Sequence, residues 1–282
     1  MHLYRGDSLK PIQAERSMIS AKSIRIFFVF NGIIGSVGLL QWVSMLYLSM
    51  PFHTLFIFLR NLAVSYGIEF ASAIAGASLL NRDYTPPIEH FPGEFIAYVG
   101  QAAAIESVFT SLNMSLFSFS PSNVQLQLLT FIPVSFLFEV VYDFFHYWSH
   151  RLMHTYYVDL HKSHHRHIHL RPILAFYQNG ADLIFTNALP FLATEYIFSV
   201  FYSLSAFELA LILSYKVFIE IAGHTGRASR ATSFPQCIWL PRALGIELSV
   251  EDHNVHHTHT GTNFSKRFTL WDRVFGTYRR DT

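Results

Sequence analysis

The chain has 282 residues, of which 51% are apolar and only 14% charged, and its formal net charge is +1. This composition predicts a membrane protein rather than a soluble enzyme with a large core, and the near-zero charge argues against a nucleic-acid partner. The single cysteine, Cys237, excludes an internal disulfide and any Cys-x-x-Cys metal or redox motif.

The first half of the chain predicts paired membrane spans. No Asp, Glu, Lys or Arg occurs in 26–59 or 107–138, and each stretch exceeds the roughly 20 apolar residues that cross a bilayer. We expect spans at the following positions: about 26–47, somewhere within 52–80, about 95–117 and 126–145. Turns near Ser49 and at 120–123 separate the partners of each pair. The first span is too long and begins too far into the chain for a cleaved signal peptide.

A third pair of apolar segments, 183–201 and 204–222, is weaker because it contains charged residues. These are Glu195, Glu208, Lys216 and Glu220. The pair either crosses the membrane fully or forms a short hairpin that returns to the same side. The sequence therefore predicts an all-α, polytopic membrane bundle with a histidine-rich helical cap. Its parts are a cytosolic N-terminal segment (1–25), transmembrane hairpins (26–145) and a catalytic region (146–282) that contains the further hairpin at about 183–222.

Twelve of the 16 histidines fall in two short stretches, 146–169 and 253–259, and form three spaced boxes. Residues three and four apart are neighbours on a helix, so each box is predicted to point its imidazoles one way. The boxes supply eight candidate ligands, and the isolated His224 makes nine: His150, His154, His161, His164, His165, His224, His253, His256 and His257. One ion takes roughly four to six ligands, so we expect two ions. The alternatives are ordinary surface or core histidines and a metal-storage tract.

The boxes must lie on one side of the membrane to share a site. Five basic residues occur in 1–25, and twelve of the 20 occur in 146–171 and 224–282. The positive-inside rule therefore places the N-terminal segment and the histidine boxes in the cytosol.

Imidazole-rich coordination suits iron(II), with zinc, copper or nickel possible on ligand type alone. The sequence contains no His-Glu-x-x-His, the zinc-protease motif, and a structural zinc ion would be saturated by four ligands. A redox metal pair beside an apolar protein body indicates O2-dependent oxidation of a lipid. A membrane metal transporter or store and a membrane zinc hydrolase remain alternatives.

Five segments resemble the fatty acid hydroxylase and sterol desaturase superfamily. Residues 143–154 (DFFHYWSHRLMH) resemble its first histidine box, and 160–165 (LHKSHH) resemble its second. Residues 223–226 (GHTG) resemble the isolated histidine between boxes, 252–257 (DHNVHH) the last box, and 263–278 (NFSKRFTLWDRVFGTY) the C-terminal signature.

The resemblance implies a multi-pass enzyme of the endoplasmic reticulum membrane, or of the inner membrane in a bacterium. It implies a non-haem di-iron centre held by the nine histidines, and zinc can replace the iron during purification. It also implies O2 as oxidant and electrons from NAD(P)H through cytochrome b5 or a reductase. The C-terminal segment favours a sterol substrate, and a sphingoid base or another long-chain lipid is the alternative. Hydroxylation and desaturation both remain open.

Several further residues are candidates for a tenth ligand or for orienting a ligand. His146 lies four residues before His150 and therefore on the same helical face. Asp143, Asp252 and Glu220 lie near ligands in sequence, and a carboxylate that accepts the distal imidazole N–H orients a metal-bound histidine. The extra histidines of the boxes are expected to have a supporting or surface role: His167, His169 and His259.

Overall fold

The computed structural model describes residues 21–76, 78–80, 92–167, 169–228 and 232–280. Within these residues the protein is helical throughout, with isolated bridges in place of sheets. The α-helices are α1 (Ala21–Tyr47), α2 (Met50–Ile74), α3 (Pro92–Leu116), α4 (Val124–Tyr156), α5 (Val158–His161), α6 (Gly180–Leu183), α7 (Leu189–Ser199), α8 (Ala206–Gly223), α9 (Trp239–Ala243), α10 (Val250–Thr258) and α11 (Leu270–Val274). This confirms the predicted all-α class.

Four of these helices are long and apolar enough to cross a membrane: Phe27–Tyr47, Met50–Ile74, Gly93–Leu116 and Val124–Tyr156. They correspond to the four spans predicted from the first half of the sequence and support a multi-pass membrane protein. Helix α2 begins at Met50, earlier than predicted, because Pro51 is well tolerated in a first helical turn. Helix α4 continues from the predicted end at 145 to Tyr156, so the first histidine box belongs to the same helix as the fourth span.

Helix α8 lies inside the bundle and packs against α1, α2 and α4. Thirteen of its 18 residues are buried, which fits a helix that is apolar on nearly every side. Its charged residues have interior partners: Glu208 caps the helix through the backbone N–H of Ser205 and accepts from the hydroxyl of Tyr202. Enclosure by other helices explains why this third apolar pair tolerates charge.

A buried polar network joins α1, α2, α3 and α8. The Arg60 guanidinium donates to both oxygens of the Glu106 carboxylate, at 2.9 and 2.6 Å, and to Gln41 Oε1 at 2.6 Å. Ser214 on α8 donates to the same Gln41 oxygen at 2.9 Å. Since an unpaired buried charge is costly, each member of this network depends on the others.

The C-terminal segment is fastened to α4 by buried charged groups. The Asp143 carboxylate accepts the backbone N–H groups of Lys266, Arg267 and Phe268 at 2.7–3.0 Å. The fully buried Arg267 donates to Glu139, also on α4, at 2.8 Å. These contacts place the last box next to the first one.

Candidate metal centre

The nine histidines predicted as ligands come together in two groups. Within each group one nitrogen from every ring lies within 4.8 Å of the corresponding nitrogen of the others. The first group, termed site 1, contains five residues: His150, His154, His161, His165 and His256. The second group, termed site 2, contains four: His164, His224, His253 and His257.

The division between the sites follows the spacing of the boxes. Every pair four residues apart stays together: His150 with His154, His161 with His165, and His253 with His257. The middle histidine of the second and third boxes joins the other site. The prediction that each box points one way is therefore wrong for these two boxes, and each of them contributes to both sites.

The second box also departs from the predicted helical geometry. Helix α5 ends at His161, and 164–166 form a separate 3-10 turn. The first box lies on the continuous helix α4 and the third on α10, as predicted. The third box divides between the sites in the same way on the continuous helix α10, so this division does not require a change of helix type.

His224 reaches site 2 as the residue that ends α8. Gly226, two residues later, has φ of +60°, and a β-carbon there would collide with the carbonyl oxygen of Leu170. Glycine therefore allows the segment after the second box to pack directly against the chain leaving α8.

In site 1 the Nε2 atoms form a closed ring of contacts. His150 Nε2 lies 3.0 Å from His161 Nε2 and 3.3 Å from His154 Nε2. His256 Nε2 lies 3.2 Å from the Nε2 atoms of His154 and His165, and the Nε2 atoms of His165 and His161 are 3.0 Å apart. Ligand nitrogens about 2.0–2.1 Å from one ion would be separated by roughly 3–3.4 Å, so the ring has the dimensions of a coordination shell.

The other ring nitrogens determine the tautomers of three site 1 histidines. His150 Nδ1 donates to the carbonyl oxygen of Phe264 at 2.9 Å, and His256 Nδ1 donates to that of Thr262 at 2.7 Å. His161 Nδ1 donates to the Asp182 carboxylate, with both oxygens at 2.9 Å. With the proton on Nδ1, each of these rings turns its Nε2 lone pair toward the centre of site 1.

In site 2 one histidine, His224, is oriented in the same way. His224 Nδ1 donates to the carbonyl oxygen of Glu220 at 2.8 Å, and its Nε2 lies 3.4 Å from His164 Nε2 and 3.3 Å from His253 Nε2. Neither ring nitrogen of the buried His257 has a hydrogen-bond partner among the described residues. An unsatisfied imidazole beside three others is the arrangement that a bound cation would complete.

Burial favours the neutral form of most candidate ligands. The pKa of His164 is held well below its ordinary value, mainly by removal from solvent and secondly by the charge of the nearby His224. Burial lowers the pKa of His256 to about 3. Burial likewise holds down the pKa of His257. Neutral imidazole is the form that binds metal.

The donor sets of both sites fit metal ions. Lone pairs that face one another at 3.0–3.4 Å repel unless a proton or a cation lies between them. Protons are disfavoured by burial, whereas one cation in each site would satisfy every converging nitrogen at once.

Asp182 orients a candidate ligand and was not predicted from the sequence. It is fully buried in α6, and it holds His161 through the carboxylate–imidazole contact described above. Its only sequence signal is its position as a lone carboxylate at the start of an otherwise apolar stretch.

The four residues predicted as extra ligands or ligand supports belong to neither site. His146 Nδ1 donates to the carbonyl oxygen of Thr186 at 2.6 Å, and its ring lies 5.2 Å from that of His150. Asp143 binds backbone N–H groups, and Asp252 caps α10 through Ser249. Glu220 forms an ion pair with Lys266.

The other histidines that the structure describes also lie apart from the two sites. His167, His169 and His259 are half-buried and belong to neither group. His53 contacts Ser44 in the α1–α2 hairpin. His2 and His90 lie outside the described residues.

Two cavities adjoin site 1 and site 2. The polar cavity is lined by His146, Lys266, Glu220, Gln178 and several candidate ligands. The second cavity, termed the apolar chamber, has a mainly apolar wall and lies among α2, α3, α7 and α8. Gln178 and Glu220 line both cavities.

Residues 135–277 match the fatty acid hydroxylase family, which is half of the chain. The match includes all nine histidines of sites 1 and 2. The chain belongs to the fatty acid hydroxylase family. This confirms the superfamily resemblance seen in the sequence motifs.

Three curated relatives are similar over about half of the chain. A fatty acid hydroxylase from Lecanicillium sp is 29% identical over 151 residues, covering 50% of this chain and 40% of the relative. Two proteins of Schizosaccharomyces pombe are a C-4 methylsterol oxidase, 30% identical over 149 residues (50% of this chain, 45% of the relative), and a Delta(7)-sterol 5(6)-desaturase, 29% identical over 145 residues (51% and 43%). The similarity thus spans less than half of each relative's length. No solved structure matches this chain significantly.

Proposed function

We propose that this protein is an O2-dependent, non-haem di-iron oxygenase that hydroxylates or desaturates a lipid. The observation that carries the proposal is the convergence of nine imidazoles into two sites next to an apolar chamber. A structural metal site needs neither nine ligands nor an adjacent cavity, because it is complete with four ligands.

Each part of the site has a task in such a reaction. The nine histidines hold the metal pair, and a bound iron pair supplies the activation of O2 needed to attack an unactivated C–H bond. Asp182 and the carbonyl oxygens of Phe264, Thr262 and Glu220 fix the orientation of four rings. The apolar chamber binds the lipid and excludes water from the reacting carbon.

The proposed substrate is a sterol, since two of the relatives are named as a methylsterol oxidase and a sterol desaturase. The third relative is named as a fatty acid hydroxylase, which supports the alternative of a sphingoid base or another long-chain lipid. The chamber wall is mainly apolar, which suits the hydrocarbon part of either class.

The proposed setting is the endoplasmic reticulum membrane with both sites facing the cytosol. The distribution of basic residues in the sequence supports this orientation. A cytosolic site has access to electrons from NAD(P)H delivered by cytochrome b5 or a reductase. The candidate ligands of a transporter would follow a path along the spans, whereas His150 and His154 lie at the end of α4 and His224 ends α8.

The first test is the metal content of the purified full-length protein. We expect two ions per chain, with zinc found where iron was lost and activity restored by iron. One ion or fewer per folded chain would refute the two-metal proposal. Lipid analysis of sterol-auxotroph and sphingolipid-mutant hosts expressing the chain then identifies the substrate class, and unchanged lipids in both hosts would contradict oxygenase activity.

Substitutions within the sites provide the second test. His164→Ala and His256→Ala remove one candidate ligand from site 2 and site 1, respectively. Each should abolish turnover and lower metal content without removing the protein from the membrane, since the four spans do not depend on the metal. His259→Ala is the matched control, because His259 belongs to neither site. Full activity in either ligand variant would contradict the assignment.

A further inference from the structure

Lys216 is the only lysine among the described residues that line the apolar chamber. Its Nζ atom donates to the hydroxyl of Tyr142 at 2.8 Å and to Asn187 Oδ1 at 3.1 Å. The same ammonium lies over the Tyr142 ring, 4.4 Å from its centroid. All of these partners are neutral.

The other charged groups that line the chamber are already paired. Glu220, one helical turn after Lys216, forms an ion pair with Lys266, and Glu106 binds Arg60. In the part of the chain that the structure describes, no carboxylate oxygen lies within 4.0 Å of Lys216 Nζ. Burial, together with the nearby Lys266 and Arg267, holds the pKa of Lys216 well below its ordinary value, so an anionic ligand group beside Nζ would supply the partner that the ammonium form needs.

Two residues shared by both cavities show where Lys216 lies relative to the histidine sites. Glu220 and Gln178 line both the chamber and the polar cavity beside the candidate ligands, and the side-chain amide of Gln178 lies 3.3 Å from His164 Nδ1. The rest of the wall combines apolar side chains such as Leu213 and Phe109 with the polar Asn61, Gln101 and Glu106, of which Glu106 is already bound to Arg60. Lys216 therefore lies toward the metal end of the chamber.

We propose that Lys216 is a specificity-determining residue that binds the acidic headgroup of a lipid, so that the headgroup lies beside the histidine sites and the tail fills the rest of the chamber. This inference rests on the proposed lipid-oxidising function and narrows its substrate: it favours a long-chain lipid with an acidic headgroup over a sterol, whose headgroup is an uncharged hydroxyl, and over a sphingoid base, whose headgroup is an amine. It predicts that the oxidised carbon is close to the headgroup and far from the end of the tail.

The test is lipid binding by the full-length protein in uncharged detergent, measured independently of turnover. The probes are an 18-carbon fatty acid and its methyl ester, both with the same fluorescent label at the end of the tail. The protein variants are wild type, Lys216→Met and Val217→Ala. Methionine keeps the length and removes the charge, and Tyr142 still has Asn187 Oδ1 as a partner at 3.3 Å. Val217 also lines the chamber, so its truncation is the matched control.

We expect wild type to bind the acid more tightly than the ester. Lys216→Met should weaken binding of the acid by roughly tenfold to hundredfold, the usual contribution of a hydrogen bond to a charged group. It should leave binding of the ester within about twofold, and Val217→Ala should change binding of both probes by the same factor. Equal affinity of wild type for acid and ester would overturn the inference even if the variant failed to fold, and so would an equal loss for both probes in Lys216→Met.

Metal analysis of the same samples separates the two proposals. Wild type that holds two ions but does not distinguish acid from ester refutes the role of Lys216 alone. Wild type that selects the acid through Lys216 but holds no metal refutes the di-iron function alone.

Discussion

Replacement of Asp182 by asparagine tests how site 1 is oriented. Asp182 is fully buried, and both of its carboxylate oxygens lie 2.9 Å from His161 Nδ1. The substitution preserves the size of the side chain and one oxygen acceptor, and it removes the charge. Because the change does not touch the metal-facing nitrogen, any loss of metal reports on orientation and basicity of the ring.

The magnitude follows from the kind of hydrogen bond that is lost. A bond to a charged group contributes about 1.5–3 kcal/mol, and a neutral one about 1 kcal/mol. Asp182→Asn should therefore weaken metal binding at site 1 by roughly tenfold, at the lower end of the 10- to 100-fold range typical of such partners. Asp182→Ala, which leaves His161 Nδ1 without an acceptor, should approach the upper end.

The assay is metal content after dialysis against increasing chelator concentration. Wild type should lose its ions at one chelator concentration, and Asp182→Asn should lose the site 1 ion at roughly tenfold less chelator while the site 2 ion is retained. Asp159→Asn is the matched control, because Asp159 is exposed and pairs only with Lys162. Retention of both ions by Asp182→Asn at the wild-type chelator concentration would refute the orienting role.

Three further predictions concern the fold and the topology. Arg60→Met leaves the partly buried Glu106 without its cation and should lower the stability of the protein by up to about 3 kcal/mol, the lower end of the cost of breaking a fully buried pair. The measurement is thermal unfolding in detergent, and an unchanged unfolding temperature would show that the network contributes nothing. Gly226→Ala should lower the stability of the protein by about 1–3 kcal/mol in the same measurement and weaken metal binding at site 2. Normal metal retention would contradict the close packing of this turn. Asn263 starts an Asn-Phe-Ser glycosylation sequon, and the cytosolic placement predicts that it stays unmodified in a eukaryotic host. A glycosidase-sensitive mass shift that disappears in Ser265→Ala, which removes the sequon and keeps the buried Asn263 amide, would place the last box in the lumen.

The positions of the candidate ligands could be predicted because they depend on local spacing. Imidazoles four residues apart on a helix are neighbours, and this rule describes the pairs within the first and third boxes. The family motifs added His224, which has no partner nearby in sequence. All nine positions come together in the structure, and their role as metal ligands remains a prediction.

The division into two sites follows from the rotation between successive side chains of a helix, which the rule of three- and four-residue spacing does not resolve. At about 100° per residue, positions three and four after a first histidine lie about 60° to one side of it and about 40° to the other. In α10, His256 and His257 therefore diverge by about 100°, so they face different sites. The helix that carries His253 also places His257 beside it and His256 away from it. A box with this spacing on one helix is thus suited to join two metal sites, and grouping its members on one face was too coarse.

Asp182 could not be identified from the sequence because its partner is distant along the chain. It lies 21 residues after His161, and it occupies the first turn of α6, where a carboxylate is favourable for helix stability alone. The carboxylates nearest the ligands in sequence were predicted to orient them instead. Asp143 and Asp252 bind backbone N–H groups, so proximity in sequence was a poor guide to which carboxylate faces an imidazole.

Two helices fix the distance between Lys216 in the apolar chamber and the histidine sites. Helix α8 presents Lys216 to the chamber and ends at His224, eight residues later, and a rise of 1.5 Å per residue separates the two positions by about 12 Å along the axis. Helix α4 runs beside it, with Tyr142 at the lysine and His150 in site 1. Since both spacings are lengths of continuous helix, a lipid held at Lys216 cannot slide its headgroup relative to the metals without distorting α4 or α8. The choice of carbon would then follow from the distance along the lipid from the headgroup, and lipids with the same headgroup and tails of different length would be oxidised at the same carbon.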